Sequence, residues 1–299
     1  MSVNYSLKFL VLATAMSGLS LAEETPSSEK SNVDDSDAIL LRYKFNAGEK
    51  LRYQTSQNVT QQVVSPAGQK LDVSSVEQKR LFRIEAVDEA GVADASMQFE
   101  HVHMETQTDD NDRIIYDSSM APSAVPPKYR SVANGLKKAA PKFHLSPMGT
   151  PLSKDGVEEV SAVANACFMM PLPKEEIRIG NFWSSKIPVD VRLAPGVMRK
   201  INLQRSYKLK AVNDGIAEIV FYTSLENQIK TPQVKALLLQ ATPNGTIEFD
   251  IQKGRVVRRE LRFDNFVLGA LGPNTMLTAK GKTVEQLVVD EPVAQLEKD

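Results

Sequence analysis

The stretch from Lys79 to Phe99, KRLFRIEAVDEAGVADASMQF, decides the fold because the chain contains a similar stretch a second time. The second stretch, Gln204 to Ser224, is QRSYKLKAVNDGIAEIVFYTS. Each consists of two runs of alternating apolar and polar residues around an Asp/Asn/Gly turn, which is the pattern of a β-hairpin. Ala86-Val87-Asp88 of the first matches Ala211-Val212-Asn213 of the second. The alternative is that any two amphipathic hairpins look alike.

The similarity continues on both sides of the two hairpins. A glycine turn, at Gly48 and at Gly180, precedes each hairpin and leads into a strand with an aromatic start. An apolar-aromatic strand that ends in Asp follows each one, at residues 114–117 and 247–250. Similarity in a fixed order predicts a repeated architecture. We expect a mainly β (α+β) protein with two duplicated antiparallel β-meander halves, which form a curved sheet or open barrel, and with helices inserted between them.

The N-terminus has the form of a secretory signal. Lys8 supplies its only charge, the run from Phe9 to Ala22 is apolar, and Ser20-Leu21-Ala22 ends that run with small residues where a signal peptidase cleaves. The run is short for a bilayer-spanning helix, so no stable transmembrane segment is expected after cleavage, and an uncleaved anchor is the alternative. The predicted compartment is therefore secreted or periplasmic, in a bacterial envelope.

Composition and charge divide the rest of the chain. Residues 23–37, EETPSSEKSNVDDSD, are acidic and Ser-rich with few apolar side chains, which predicts a disordered linker. The predicted organisation is a signal peptide (1–22), this linker (23–37), a single globular domain (38–292) with halves 38–118 and 180–290 joined by a helical segment (119–179), and a frayed tail (293–299).

The overall composition excludes some classes of protein. The 299 residues are 42% hydrophobic and 24% charged, which is enough apolar material for a core. With 36 Lys plus Arg against 37 Asp plus Glu, the chain lacks the basic excess of a nucleic-acid binder. A single cysteine excludes an intramolecular disulfide.

Two helices are predicted between the halves. One is marked by Tyr129 and Leu136 at helical spacing, and the other ends near Cys167 before Pro171. They form either a lid or plug over an apolar sheet face, or simply the rest of the core. If a ligand lies beneath them, the aromatic and Met-rich residues of the midsection are expected to line its site. These candidates are Tyr129, Leu136, Cys167, Phe168, Met169, Met170, Leu172 and Trp183.

His101, His103 and Glu105 form the one candidate metal site. Alternate residues of a strand share a face, so these three side chains could converge on one ion. The alternative is a solvated polar strand end. Arg255, Arg258, Arg259 and Arg262 form a basic cluster, but the alternation of Arg258, Glu260, Arg262 and Asp264 favours a solvated face with cross-strand ion pairs.

The sequence lacks the common catalytic and cofactor motifs. It contains no Gly-x-Ser-x-Gly elbow, no Gly-rich phosphate loop and no His-Glu-x-x-His helix. Cys167 lies on an apolar helix stripe, which favours a buried small hydrophobe over a nucleophile. We therefore expect no enzyme activity and no cofactor.

Several motifs together resemble a family of uncharacterised secreted bacterial proteins. They are Leu41-Arg42-Tyr43-Lys44-Phe45 with Gly48-Glu49, the Ala86-Val87-Asp88-x-x-Gly91 turn, the Pro171-Leu172-Pro173 stretch up to Trp183, and Phe249-Asp250 with Gly254-Arg255. The resemblance covers most of the chain after residue 22 and implies a fold and a compartment, but no activity or catalytic residues. Long antiparallel strands with inserted helices are also similar, at the level of fold, to the half-barrels of periplasmic lipoprotein carriers.

These observations lead to two functional hypotheses. The first is an envelope protein that binds an apolar ligand, a lipid or a lipidated protein, between a curved sheet and the helices. The second is a scaffold or protein-interaction module whose core is filled by its own side chains. An enzymatic alternative rests on the His pair alone.

Overall fold

The computed structural model describes residues 38–109, 113–138, 140–152, 169–194 and 197–288. Twelve strands account for most of them: β1 (Lys50–Ser65), β2 (Gly68–Val87), β3 (Ala93–Thr108), β4 (Ile114–Asp117), β5 (Lys142–Leu145), β6 (Pro151–Leu152), β7 (Phe182–Ala194), β8 (Val197–Asn213), β9 (Ile216–Leu225), β10 (Asn244–Asp250), β11 (Arg255–Leu268) and β12 (Met276–Val288). The helices are few and short: α1 (Arg130–Leu136), α2 (Pro232–Leu237), and two 3₁₀ turns at Pro122–Ala124 and Pro127–Tyr129. The prediction of a mainly β protein is confirmed.

All twelve strands belong to one antiparallel sheet. Its order is β6-β5-β3-β2-β1-β12-β11-β10-β9-β8-β7, and β4 pairs with β3 beside this path. β6 and β7 are the two ends of the path and do not pair, so the sheet is not closed. The order consists of two five-stranded meanders, and β12 joins them by pairing with β1 on one side and β11 on the other.

One face of the sheet carries the core, and we call it the inner face. The largest apolar cluster on it contains Phe143 of β5 near one end of the sheet and Tyr207 of β8 near the other. The residues between them in the strand order, such as Tyr53 of β1 and Phe249 of β10, belong to the same cluster. Because residues from distant strands meet in one cluster, the sheet must curve around it. We call this cluster the main core.

Two extended segments close the main core. In the first, the Tyr43 N–H donates to Pro147 O at 2.8 Å and the Lys44 N–H donates to Gly254 O at 3.0 Å. The second, around Met170, donates its Leu172 N–H to Met148 O at 2.8 Å. The segments pair with each other through a β-bridge between Ile39 and Ile177. The first segment is not a strand of the sheet, and it runs across the turns after β5 and β10.

Three smaller apolar clusters lie at the other end of the inner face. Under α1 and the 3₁₀ turns lie Val76, Val102, Met104, Tyr116 and Tyr129. Next to α2, one cluster is centred on Phe263 and Leu239. The other is centred on Leu203 and Val234. The helices therefore cover this end of the sheet, as expected of elements that bury an apolar stripe.

The two hairpins that decide the fold have matching local structure. Each has a β-bulge at the same place, between Ile84 and Ala86 in β2 and between Leu209 and Ala211 in β8. The preceding glycine turns also match. The Gly48 N–H donates to Ile84 O, and the Gly180 N–H donates to Leu209 O, both at 2.7 Å. The same turns receive an N–H in return, from Ile84 to Glu49 O and from Leu209 to Asn181 O.

For the strands that follow the two hairpins, the structure agrees less well with the internal similarity seen in the sequence. β10 pairs with β9 opposite Ala217 and Ile219, close to the hairpin turn. In the first half the corresponding place, opposite Ala93 and Ala95, is taken by β5. β4, the strand that the sequence comparison matched to residues 247–250, pairs with the far end of β3, opposite Met104. By position in the sheet, the counterpart of β10 is therefore β5 and not β4, and β5 is a strand of only four residues between prolines.

The predicted helical segment, 119–179, is only partly helical among its described residues. It contains α1 and the 3₁₀ turns, but also β5 and β6, and residues 169–179 are extended or turn-like. The predicted second helix, including Cys167 and Phe168, lies outside the described residues. So do the signal peptide, the acidic linker and the tail. No helix within the described part of the chain is long and apolar enough to cross a membrane.

Glycine is required where the first extended segment crosses the turn after β10. Gly254 has φ +61°, and a Cβ there would lie 2.6 Å from Lys44 N and 2.7 Å from Arg42 O. We predict that Gly254→Ala lowers the free energy of unfolding by about 2 kcal/mol or more, because it combines left-handed strain with a backbone clash. Urea unfolding followed by circular dichroism measures the change.

The control is Gly135→Ala in α1, where nothing lies within 4 Å of the added Cβ. Alanine is the better helix former, so this variant should be as stable as the wild type or slightly more stable. Equal stability of the two variants would contradict the account of the Gly254 turn.

Candidate ligand-binding interior

A band of polar and charged side chains crosses the inner face between the main core and the three smaller clusters. We call it the charged belt, and it consists of Thr55 on β1, Arg80 on β2, Arg205 on β8, Thr223 on β9, Arg259 on β11 and Glu285 on β12. Its place follows from strand alternation, since every second residue shares a face. Along β1, for example, Tyr53 belongs to the main core, Thr55 to the belt and Val59 to a smaller cluster. β2 repeats the order with Phe82, Arg80 and Val76.

Glu285 holds the centre of the belt. Its carboxylate is 1% exposed and forms an ion pair with Arg80 of β2. The Thr55 hydroxyl donates to Glu285 Oε2 at 3.2 Å and accepts from Arg80 Nη2 at 3.1 Å. On the other side, Arg259 Nη2 lies 2.9 Å from Glu285 Oε1, an ion-pair distance without hydrogen-bond alignment. One carboxylate thus serves two guanidinium groups.

Arg205 is held by neutral groups on β9. Its Nε–H donates to the Thr223 hydroxyl at 2.9 Å, and its guanidinium carbon lies 4.9 Å from the ring centre of Phe221. The Thr223 N–H in turn donates to Asn244 Oδ1 at 3.2 Å, which fixes this end of the belt. A cation over an aromatic face is favourable, but it leaves the charge of Arg205 without a counter-ion among these partners.

Burial and neighbouring charges shift the pKa values of side chains in and next to the belt. Burial is the main cause that lowers the pKa of Arg259, and the nearby positive charge of Arg205 lowers it further. Burial also raises the pKa of Tyr53 well above its usual value, so its hydroxyl remains protonated. That hydroxyl donates to Val256 O at 2.8 Å. The belt is therefore a weakly solvated region in which charge interactions are strong.

The middle of the inner face is not fully packed. Gln57, Gln78 and Thr283 lie between the belt and the smaller clusters, and each is only half-buried. Phe99, which pairs with Arg80 and shares its face, is 38% exposed. It lies in the central part of β3, between the stretches that pair with β5 and with β4. Solvent therefore reaches the inner face between two layers that are closed by buried apolar side chains.

The predicted lining residues do not come together in one place. Met169, Met170, Leu172 and Trp183 belong to the main core or pack against it. The Trp183 Nε1–H donates to Pro171 O at 2.9 Å, and its ring stacks on Tyr207. Tyr129 and Leu136 belong to the cluster under α1, on the far side of the belt. Tyr129 bonds to the Thr106 hydroxyl and is 1% exposed. Cys167 and Phe168 lie outside the described residues.

The residues predicted to bind a metal lie on the outer face and bond to one another. His103 uses both ring nitrogens, Nδ1 at 3.1 Å from Asp117 Oδ2 and Nε2 at 3.1 Å from Glu105 Oε1. His101 Nε2 lies 2.9 Å from the same Asp117 oxygen. Arg113 pairs with Glu105. In the described part of the chain, no group of three or more His, Cys, Asp or Glu side chains is arranged to hold a metal ion.

The basic cluster predicted on β11 divides between the two faces. On the outer face, cross-strand ion pairs occur as the alternation predicted, with Lys282 Nζ 3.3 Å from Glu260 Oε2 and Lys280 Nζ 3.0 Å from Asp264 Oδ2. Arg259 turns inward to Glu285. The belt was not predicted from the sequence. One feature of the sequence does indicate it, because Arg205 interrupts a run of alternating apolar residues, Ile201, Leu203, Tyr207 and Leu209.

Comparisons with known proteins give likenesses of fold only. No protein-family model matches the chain, and no curated protein matches it. A solved structure titled "Lipid-protein interactions in lipovitellin" is similar over 85% of this chain at 12% identity and a TM-score of 0.46. This chain spans only 27% of the lipovitellin chain.

Two smaller structures show weaker likeness. The COG4313 outer membrane channel from Pseudomonas putida F1 is similar over 87% of this chain and 100% of its own, at 8% identity and a TM-score of 0.26. A DUF1329 family protein from Desulfovibrio piger is similar over 80% of this chain and 87% of its own, at 7% identity and a TM-score of 0.14. TM-scores this low do not support an argument about function.

We predict that Glu285→Gln lowers the free energy of unfolding by about 3 kcal/mol, since it leaves two buried guanidinium groups without their counter-ion. Thermal unfolding should show a fall in Tm of roughly 10 °C. The matched control is Glu260→Gln on the outer face, where solvent-accessible ion pairs contribute about 1 kcal/mol or less. Equal losses in the two variants would contradict a central role for Glu285.

We also predict that the pKa of His103 lies above its usual value of about 6.5, because hydrogen bonds to Glu105 and then to Asp117 stabilise the imidazolium. A folded-state pKa above the unfolded value means that this contribution to stability is complete below about pH 6.5. It is lost as the pH rises through the folded pKa. Histidine ring NMR titration measures the value, and Glu105→Gln should lower it. A pKa at or below 6.5 in the wild type would contradict the hydrogen-bonded geometry.

Proposed function

We propose that this protein is an exported, non-catalytic binding protein that takes an apolar ligand, a lipid or the lipid part of a lipidated protein, on its inner face. The observation that carries the proposal is the accessible middle of that face. Gln57, Gln78 and Thr283 are half-buried and Phe99 is exposed, although the apolar layers on both sides are closed. These accessible residues lie between the main core and the three smaller clusters.

The position of the proposed site differs from the one expected from sequence. Met170 and Leu172 are 3% and 6% exposed and already packed in the main core, so they offer no room for a ligand. The half-buried residues lie instead between the belt and the clusters under the helices. A ligand there would contact the sheet on one side and the edge of the α1 and α2 regions on the other.

The scaffold hypothesis is favoured by a different observation. The main core is densely apolar, with Leu41, Tyr53 and Phe249 fully buried. Such a core can support a binding surface without an internal ligand. We keep this as the second candidate, and the accessible middle of the inner face is what distinguishes the two.

The repeat is part of the proposal. We infer that the two meanders, β1-β2-β3-β5-β6 and β7-β8-β9-β10-β11, descend from one duplicated unit. The matching bulges at Glu85 and Lys210 and the matching glycine-turn hydrogen bonds support this. Export to the bacterial envelope, and membership of the family of secreted proteins that the sequence resembles, rest on the N-terminal signal pattern and the shared motifs.

Native mass spectrometry of the purified protein tests the binding function. We expect a co-purifying mass of lipid size that organic extraction removes. Thr283→Phe should reduce its occupancy at least several-fold, because the larger ring fills the accessible part of the inner face beside Gln57 and Leu261.

The matched control is Thr278→Phe on the same strand, five residues away and on the opposite face, beside Phe266. It should leave the occupancy unchanged. A wild-type protein that carries no lipid and binds none from detergent-solubilised phospholipid would favour the scaffold instead.

A further inference from the structure

The charged belt contains more positive charge than its own carboxylate neutralises. Glu285 is shared between Arg80 and Arg259, and the contacts of Arg205 with Thr223 and Phe221 are with neutral groups. Unneutralised charge is costly in a weakly solvated interior. A feature of this kind on an accessible inner face is typical of a site that receives an anion.

The hydrogen-bonding groups of the belt are only partly used. Glu285 is already shared between Arg80 and Arg259. The Nε–H of Arg259 is buried and donates to no acceptor among the described residues. The contacts found for Arg205 are a hydroxyl and an aromatic face, both neutral. Guanidinium groups present planar, paired donors that suit a carboxylate or a phosphate.

The apolar layers around the belt limit what kind of anion fits. On β8, Arg205 lies between Leu203 and Tyr207, two buried residues of different clusters. On β11, Arg259 is followed on the same face by Leu261 and Phe263. A small hydrated ion gains nothing from these neighbours, whereas the chain of an amphiphile would bury apolar surface against them.

We propose that the belt binds the anionic headgroup of an amphiphile, a carboxylate or a phosphate, with Arg205 and Arg259 as its contacts and with the apolar chain along the accessible inner face. The proposal rests on the binding function proposed above and names the class of ligand. Arg80 and Thr55 then position Glu285, which keeps Arg259 directed toward the interior. The headgroup would supply a counter-ion for Arg205 and an acceptor for Arg259.

The test compares three probes on the purified protein. Oleate and oleoyl lysophosphatidate carry an anionic headgroup, and oleyl alcohol has the same chain without charge. Trp183 is the only tryptophan and stacks on Tyr207 of the inner face, so its fluorescence can report binding. We expect at least about tenfold tighter binding of one anionic probe than of oleyl alcohol. The tighter anionic probe identifies the headgroup as carboxylate or phosphate.

Charge-removing variants locate the contact. Arg205→Gln and Arg259→Gln should each weaken the anionic probe about tenfold or more and leave oleyl alcohol unchanged. Arg262→Gln, on the same strand as Arg259 but on the outer face and exposed, is the matched control and should change neither. If Arg259→Gln fails to fold, Arg205→Gln and the wild-type headgroup preference still decide the question.

The outcomes separate the two proposals. If the wild type binds none of the three probes, the binding function itself is wrong. If it binds oleyl alcohol as tightly as the anionic probes, the binding function stands and the headgroup proposal is wrong. The headgroup proposal is also wrong if inorganic phosphate alone competes at the same concentration as the lysophosphatidate, because the chain then contributes nothing.

Discussion

The ion pairs of Glu285 are the interaction on which the rest of the molecule depends. β12 joins the backbone ladders of the two meanders, since it pairs with β1 on one side and with β11 on the other, and Glu285 lies on that strand. Its carboxylate contacts Arg80 in the first meander and Arg259 in the second. The seam between the halves is therefore held by charge as well as by the backbone ladder. A charged seam is stable only if its geometry satisfies the buried groups, which restricts how the two meanders can lie relative to one another.

The charged belt also divides the interior into layers. The main core closes one end of the inner face through its own aromatic residues and the two extended segments. The helices close the other end, over smaller clusters. Between them the strands carry arginine, threonine and glutamine at positions where alternation would otherwise place apolar residues. A polar layer between two apolar layers costs free energy unless its groups are paired, as Arg80, Thr55 and Glu285 are here.

Much of the fold could be predicted from the sequence, because the strands are long and their alternation is regular. The hairpins around Gly91 and Gly215 occur where the pattern indicated. β5 was missed as the partner of β3, since a strand of four residues between prolines has too little periodicity to recognise. Its pairing depends on contacts with Ala93 and Ala95 that lie far away in sequence.

The candidate site was harder to predict because the face of the sheet that a side chain occupies depends on strand register as well as on alternation. A bulge between Glu248 and Phe249 in the β10–β11 pair shifts the pairing by one residue, so Val256 and Arg259 share the inner face although they are three residues apart. Counting every second residue along the sequence does not reveal such a shift in pairing. The place of the Met-rich midsection depends on a contact that is distant in sequence. Met170 faces the interior, where the Tyr43 hydroxyl accepts a hydrogen bond from the Met170 N–H at 2.8 Å.

The path of the first extended segment has a consequence for how the chain is made. Tyr43 and Lys44 bind turns at Pro147 and Gly254, about 100 and 210 residues further along the polypeptide. These earliest-synthesised residues of the fold thus cannot reach their final places until the ribosome has passed Gly254. Closing such long loops is slow. A polypeptide whose early residues must meet residue 254 before the fold can close stays open until most of the chain has been synthesised.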